Sequence, residues 1–120
     1  MELFNFEKLI AWQKSVEFYQ LVIENTEAFA SQSGHFRIKE QLESATFSIA
    51  LNIAEGAGRS SDQDFVRFLY YARGSLYETV TLLILLNKNG HLDDEALALL
   101  REKAQELAKI LNGLISSKKN

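Results

Sequence analysis

The sequence contains no proline and only six glycines in 120 residues. Proline is the residue that most firmly ends a helix, since it lacks a donor and clashes with the preceding turn. Glycine is the next most unfavourable residue in a helix interior. A chain short of both has few obligatory breaks, so long uninterrupted helices are the expected outcome. Apolar residues reach 47%, enough for one packed core, and the length suits a single domain. Strand signals are weak, because no alternating β-branched run is bounded by an Asn-Gly or Asp-Gly turn.

The apolar period predicts four helices, over residues 6–30, 38–57, 62–89 and 94–116. In the first, Leu9, Trp12, Val16, Tyr19, Ile23, Thr26 and Ala30 recur at steps of three and four, the spacing of one helical face. Phe18, Val22 and Phe29 form a second stripe beside it. The polar cluster Ser31-Gln32-Ser33-Gly34 marks its end. In the second, Leu42, Ala45, Ile49, Ile53 and Gly56 form the stripe, with Gly56 and Gly58 expected to close the helix in a left-handed cap. Ser61 and Asp64 have capping-box spacing at the start of the third. Its core face is Phe65, Phe68, Leu69, Ala72, Leu76, Thr79, Leu83 and Leu86, and Asn89-Gly90 is its stop signal. Asp93 is the expected N-cap of the fourth, flanked by Leu92 and Leu97, whose core face is Leu97, Leu100, Ala104, Leu107, Leu111 and Leu114. The expectation is an all-α, antiparallel up-down-up-down four-helix bundle in one domain spanning 1–120.

Helices one and three carry more apolar stripes than one seam can use. Trp12, Phe18 and Tyr19 are candidates for an oligomer interface, with Tyr70, Tyr71, Tyr77, Val80 and Ile84 as further excess. The alternative is that they are ordinary scattered surface aromatics.

Catalytic chemistry is scarce. The chain has no cysteine, and its two histidines, His35 and His91, have no glutamate three residues before them. Thiolate chemistry is excluded, and the Glu-x-x-His pairs of a carboxylate-bridged metal bundle are missing. No phosphate loop or nucleophile elbow is present. No cofactor is expected. Within the run from Asn52 to Ser61, Gly56, Gly58, Arg59, Ser60 and Ser61 offer an anion site at a helix start, but Asp62 and Asp64 would repel a phosphate there. A helix end, a turn and the next cap explain the cluster better. Glu55 and Glu78 admit an acid–base pair, but a buried or half-buried network with Arg59, Arg67 or Arg73 is the favoured reading. Gly74, in mid-helix, is expected to touch the small-residue face of helix two.

Net charge is −3. That opposes a non-specific nucleic-acid coat or a membrane-surface protein, both of which need a positive field. No targeting or membrane-spanning segment is visible, so the cytoplasm is the expected location. The basic residues are spread over all four helices.

The string Ser48-Ile49-Ala50-Leu51-Asn52-Ile53-Ala54-Glu55-Gly56-Ala57-Gly58-Arg59 carries more. With Asp64-Phe65-Val66-Arg67-Phe68-Leu69, Ala72-Arg73-Gly74-Ser75-Leu76-Tyr77-Glu78 and Leu9-Ile10-Ala11-Trp12-Gln13-Lys14, it resembles the 23S rRNA intervening-sequence proteins. The resemblance covers nearly the whole chain. It marks Asn52, Glu55, Gly56, Arg59, Gly74, Ser75 and Glu78 as a structural signature at the contact of helices two and three. It implies a ring-like homopentamer without enzymatic activity, and a similar bundle is the accessory protein of diversity-generating retroelements, which binds nucleic acid and the reverse transcriptase. An oligomeric adaptor is thus expected, either binding RNA or DNA with a protein partner or serving protein partners alone. The candidate nucleic-acid contacts are Arg59, Arg67, Arg73, Lys14 and Lys39. Glu43-Ser44 stand where the family commonly has basic residues, and Ala50 where many members have proline.

Overall fold

The computed structural model describes residues 1–30 and 35–119, without the side chain of Ala30. A short 3-10 turn, Asn5–Lys8, precedes four helices: α1 (Ile10–Ala30), α2 (Phe36–Ala57), α3 (Asp62–Lys88) and α4 (Asp94–Lys119). No strand occurs among the described residues. The expected helix start at residue 6 is corrected: Leu9 is extended at ψ 127°, which separates the first turn from α1. The Ser31–Gly34 stop lies outside the described residues.

The ends follow from local chemistry. Ser61 Oγ accepts the Asp64 backbone N–H at 3.1 Å, and Asp93 Oδ1 accepts that of Ala96 at 2.8 Å. Each satisfies one orphan donor of a helix start. α3 closes through Gly90 at φ +79°, and the His91 N–H returns to Leu86 O at 2.8 Å. Gly58 departs from expectation: its φ is −84°, so α2 ends without a left-handed residue.

Cross-helix pairs step in opposite directions along neighbouring helices. Tyr19 meets Phe47 while Thr26 meets Lys39, Ser48 meets Ser75 while Thr46 meets Thr79, and Tyr70 meets Lys119 while Arg73 meets Asn112. Neighbours are therefore antiparallel. Helix α1 packs on α2, α2 on α3, α3 on α4 and α4 on α1, which closes a four-cornered bundle of 45 × 28 × 23 Å.

The core takes the second stripe of α1, together with Thr26 of the first. Ala11, Ser15, Phe18, Val22, Thr26 and Phe29 are buried, while Trp12, Tyr19 and Ile23 are half-buried and Val16 is exposed. Phe18, at 2% exposure, is thus a core residue and is withdrawn from the candidate interface. Both stripes are apolar at helical spacing, so periodicity alone does not choose between them. The flanking helices choose, by covering the face that carries Phe18.

Candidate nucleic-acid interface

The outward side of α3 carries aromatic and cationic residues in alternation. Residues three, four and seven apart share a helical face, which places Arg67, Tyr70, Tyr71, Gly74 and Tyr77 together. The three tyrosines are exposed. The Arg67 guanidinium lies 4.9 Å from the Phe68 ring centre and 5.8 Å from that of Tyr71. Arg59, from the α2–α3 turn, covers Phe68 at 4.5 Å. Arg73 lies 4.8 Å from Tyr70 and 5.9 Å from Tyr77. The antiparallel return of α4 adds two cations that the sequence did not reveal. Lys118 stands 5.9 Å from Phe65, and Lys119 stands 5.8 Å from Tyr70 while donating to its hydroxyl at 3.2 Å. Such contacts hold cations on ring faces at a partly dry surface.

Pairing divides these cations into two groups. Arg67 donates through Nε to Asp64 Oδ1 at 3.0 Å and through Nη1 to the Tyr71 hydroxyl at 3.4 Å. These hydrogen bonds, that to Asp64 foremost, raise its pKa further above its ordinary value. Arg59 pairs with Glu55 at 3.4 Å and with Asp64 at 3.8 Å. Arg73, by contrast, donates to the neutral Asn112 Oδ1 at 3.0 Å. Among the described residues, no carboxylate lies within ion-pair distance of Arg73, Lys118 or Lys119. Of these five cations, the three without an ion pair therefore sit at the α3–α4 edge, beside Phe65, Tyr70 and Tyr77.

The remaining cation candidates do not join this face. Lys39 is buried on α2, its amine 2.6 Å from Thr26 Oγ1 and 3.5 Å from Glu43. Its long apolar stem allows this placement, while its amine still finds polar partners. Lys14 lies on α1 and bridges to α4 through Glu106 at 3.1 Å, with Glu17 at 3.6 Å. The hydrogen bond and charge of Glu106 raise the Lys14 pKa, and Lys14 lowers that of Glu106 in return.

The signature residues separate into packing and surface roles. Gly56 is buried where α2 meets α3: a Cβ there would stand 2.6 Å from Phe68 Cβ and 2.9 Å from the Phe65 ring. The Ser48 and Ser75 hydroxyls meet at 2.6 Å, and Asn52 Nδ2 donates to Ser48 O at 2.8 Å. Glu55 and Glu78 are both exposed, so no buried or half-buried network forms, although Glu55 does pair with Arg59 at the surface, at 3.4 Å. Gly74 also corrects the sequence reading. It faces away from α2, and a Cβ built on it would meet nothing within 4 Å. Glycine at this position costs about 1 kcal/mol against alanine, and no close packing inside the chain offsets it.

The histidines converge at one end of the bundle, with ring centres 4.5 Å apart and both packed on Phe29. Among the described residues, no group of three or more His, Cys, Asp or Glu is placed to hold a metal ion. No helix among them is long and apolar enough to cross a membrane.

On the opposite side, α1 and α2 enclose an apolar groove of about 340 Å³. Trp12, Val16, Tyr19, Phe47 and Leu51 line it, so two of the three interface candidates do share an accessible surface. Residues 7–113 match the model of the 23S rRNA-intervening sequence protein. The chain belongs to that family. A similar fold occurs in the crystal structure of a protein of unknown function of the S23 ribosomal protein family from Bacteroides thetaiotaomicron VPI-5482. That likeness has a TM-score of 0.82 at 24% identity, over 88% of this chain and 98% of that one. Among curated proteins, none matches the chain. The family match runs through every helix, from the first 3-10 turn into α4, and includes Arg59, Arg67 and Arg73 but not Lys118 or Lys119.

Proposed function

We propose that this protein is a non-enzymatic, self-associating adaptor of the cytoplasm that binds RNA or DNA along the outward side of α3. One observation carries the reading: Arg59, Arg67, Arg73, Lys118 and Lys119 all lie over aromatic rings on that helix. The whole chain is acidic and its cations are spread over all four helices, but five of the thirteen gather along α3, and a local positive field is what a polyanion meets. The groove between α1 and α2 supports self-association, since it holds a connected apolar surface that one protomer leaves open. A ring of five is the assembly that the family resemblance implies. A protein partner would then read the surface left outside the ring and the α3 face.

Fluorescence anisotropy of labelled RNA and DNA across a salt series tests the binding. The expected result is an affinity that falls with salt, and a slope about one unit shallower when Arg73 or Lys119 is reversed to Glu. A flat titration at low salt refutes the nucleic-acid reading. The second reading, a scaffold for protein partners alone, is favoured by the α1–α2 groove and would stand in that case.

A further inference from the structure

We infer that the α3 face takes single-stranded nucleic acid, with bases stacked against Tyr70, Tyr71 and Tyr77 around the bare backbone of Gly74. This rests on the nucleic-acid reading above and narrows it to one substrate class.

Three observations converge. The first is the tyrosine set itself, exposed to 37%, 49% and 53%. Rings in alternation with cations are what an unpaired strand needs, because bases stack on the ring surface the cations leave uncovered while phosphates meet the cations. A duplex turns its base faces inward and would leave the tyrosines without a partner. The second is Gly74. Tyr70 and Tyr71 lie one turn before it and Tyr77 one turn after, so any side chain at 74 would project between the rings. Its absence leaves a flat strip of helix backbone, and nothing within 4 Å inside the chain requires that absence. The third is the charge distribution. Asp64 and Glu55 already engage Arg67 and Arg59, which leaves Arg73, Lys118 and Lys119 to meet phosphates. So few cations, with the exposed Glu78 also on this face four residues after Gly74, hold a duplex backbone poorly, and ring stacking has to supply part of the affinity. Tyr70 and Tyr77 are seven residues apart, or about 10 Å along the helix. That length matches about three bases at the 3.4 Å spacing of a stacked strand.

The test compares a labelled oligouridine of about 12 nucleotides, within the usual site size, with an RNA duplex of the same length at low salt. The single strand is expected to bind at least about tenfold more tightly. Tyr70→Ala with Tyr77→Ala should weaken it at least about fivefold, and the Tyr→Phe pair should restore it. Gly74→Leu should weaken single-strand binding while the thermal midpoint does not fall. Equal or tighter duplex binding, or full affinity in the Ala pair or in Gly74→Leu, overturns this inference and leaves the broader reading intact. No binding of either probe overturns both.

Discussion

A Cβ on Gly56 would stand 2.6 Å from Phe68 Cβ, closer than packed carbon atoms allow, so α2 and α3 meet at a distance that only glycine permits. Gly74, eighteen residues later, has the same absent side chain, but a Cβ there would meet nothing within 4 Å. The two glycines should respond oppositely to alanine. Gly56→Ala forces Phe65 and Phe68 to shift, and overpacking of this kind costs about 1–3 kcal/mol. Gly74→Ala gains up to about 1 kcal/mol of helix propensity. Urea unfolding midpoints decide, and a Gly56→Ala variant as stable as the parent would contradict the close approach.

Lys39 and Arg73 should separate core from surface. Lys39→Met keeps the apolar stem and removes a buried charge whose partners are Thr26 and Glu43. Replacing a buried ion pair with apolar atoms is often neutral or stabilising, so the stability change should stay within about 1 kcal/mol or be a gain. RNA affinity should not change. Arg73→Ala should lower affinity with little effect on stability, because it loses one surface hydrogen bond to Asn112. Loss of RNA binding in Lys39→Met would contradict its burial.

The Lys14–Glu106 pair gives a pH signature. Glu106 is held below the usual carboxylate range by the Lys14 hydrogen bond and charge, and Lys14 is held above its ordinary 10.5 by Glu106. A depressed carboxylate contributes stability above its unfolded pKa and loses it as pH falls through the folded value. A raised lysine contributes below its unfolded pKa and loses it as pH rises through the folded value. The pair's contribution is thus level across neutral pH and fades at both extremes. In an NMR titration of the carboxyl carbons, Lys14→Ala should move the Glu106 midpoint upward. An unmoved midpoint would mean the pair does not persist in solution.

The α1–α2 groove should govern assembly. Phe47 and Leu51 are about half exposed on one protomer. Phe47→Glu or Leu51→Glu puts a charge on that apolar surface and should reduce the oligomer to smaller species in multi-angle light scattering. Circular dichroism should stay helical, since neither side chain belongs to the core. A parent protein that is already a monomer at micromolar concentration would rule out self-association.

Much of the fold is local, and those parts are legible from residue order. Ser61 with Asp64, Asp93 with Ala96, and Asn89-Gly90 act over three or four residues, and each stands where the sequence places it. The three arginines of α3 and its entry turn are legible in part, as cations near one helix. Lys118 and Lys119 are not, because they reach Phe65 and Tyr70 only after α4 has run back along α3. Lys39 misleads because a lysine's charge is visible in sequence while the burial of its stem is not. Glu55 and Glu78 mislead in the opposite sense, being charged residues of a packing signature that remain at the surface.

The sequence by itself determined four long helices and the caps at Ser61, Asp93 and Gly90, because proline is absent and these caps depend on hydrogen bonds within one turn. It also marked Tyr70, Tyr71 and Tyr77 as aromatic residues in excess of one bundle seam, since helical periodicity fixes angular position. Only the tertiary structure decided which apolar stripe of α1 is core, because Phe18 and Trp12 are equally apolar and neighbouring helices select between them. It alone decided that Gly56 rather than Gly74 marks the close contact, and that five cations gather over the rings of α3. Distances between helices depend on where each chain segment returns, and no spacing within one helix encodes that.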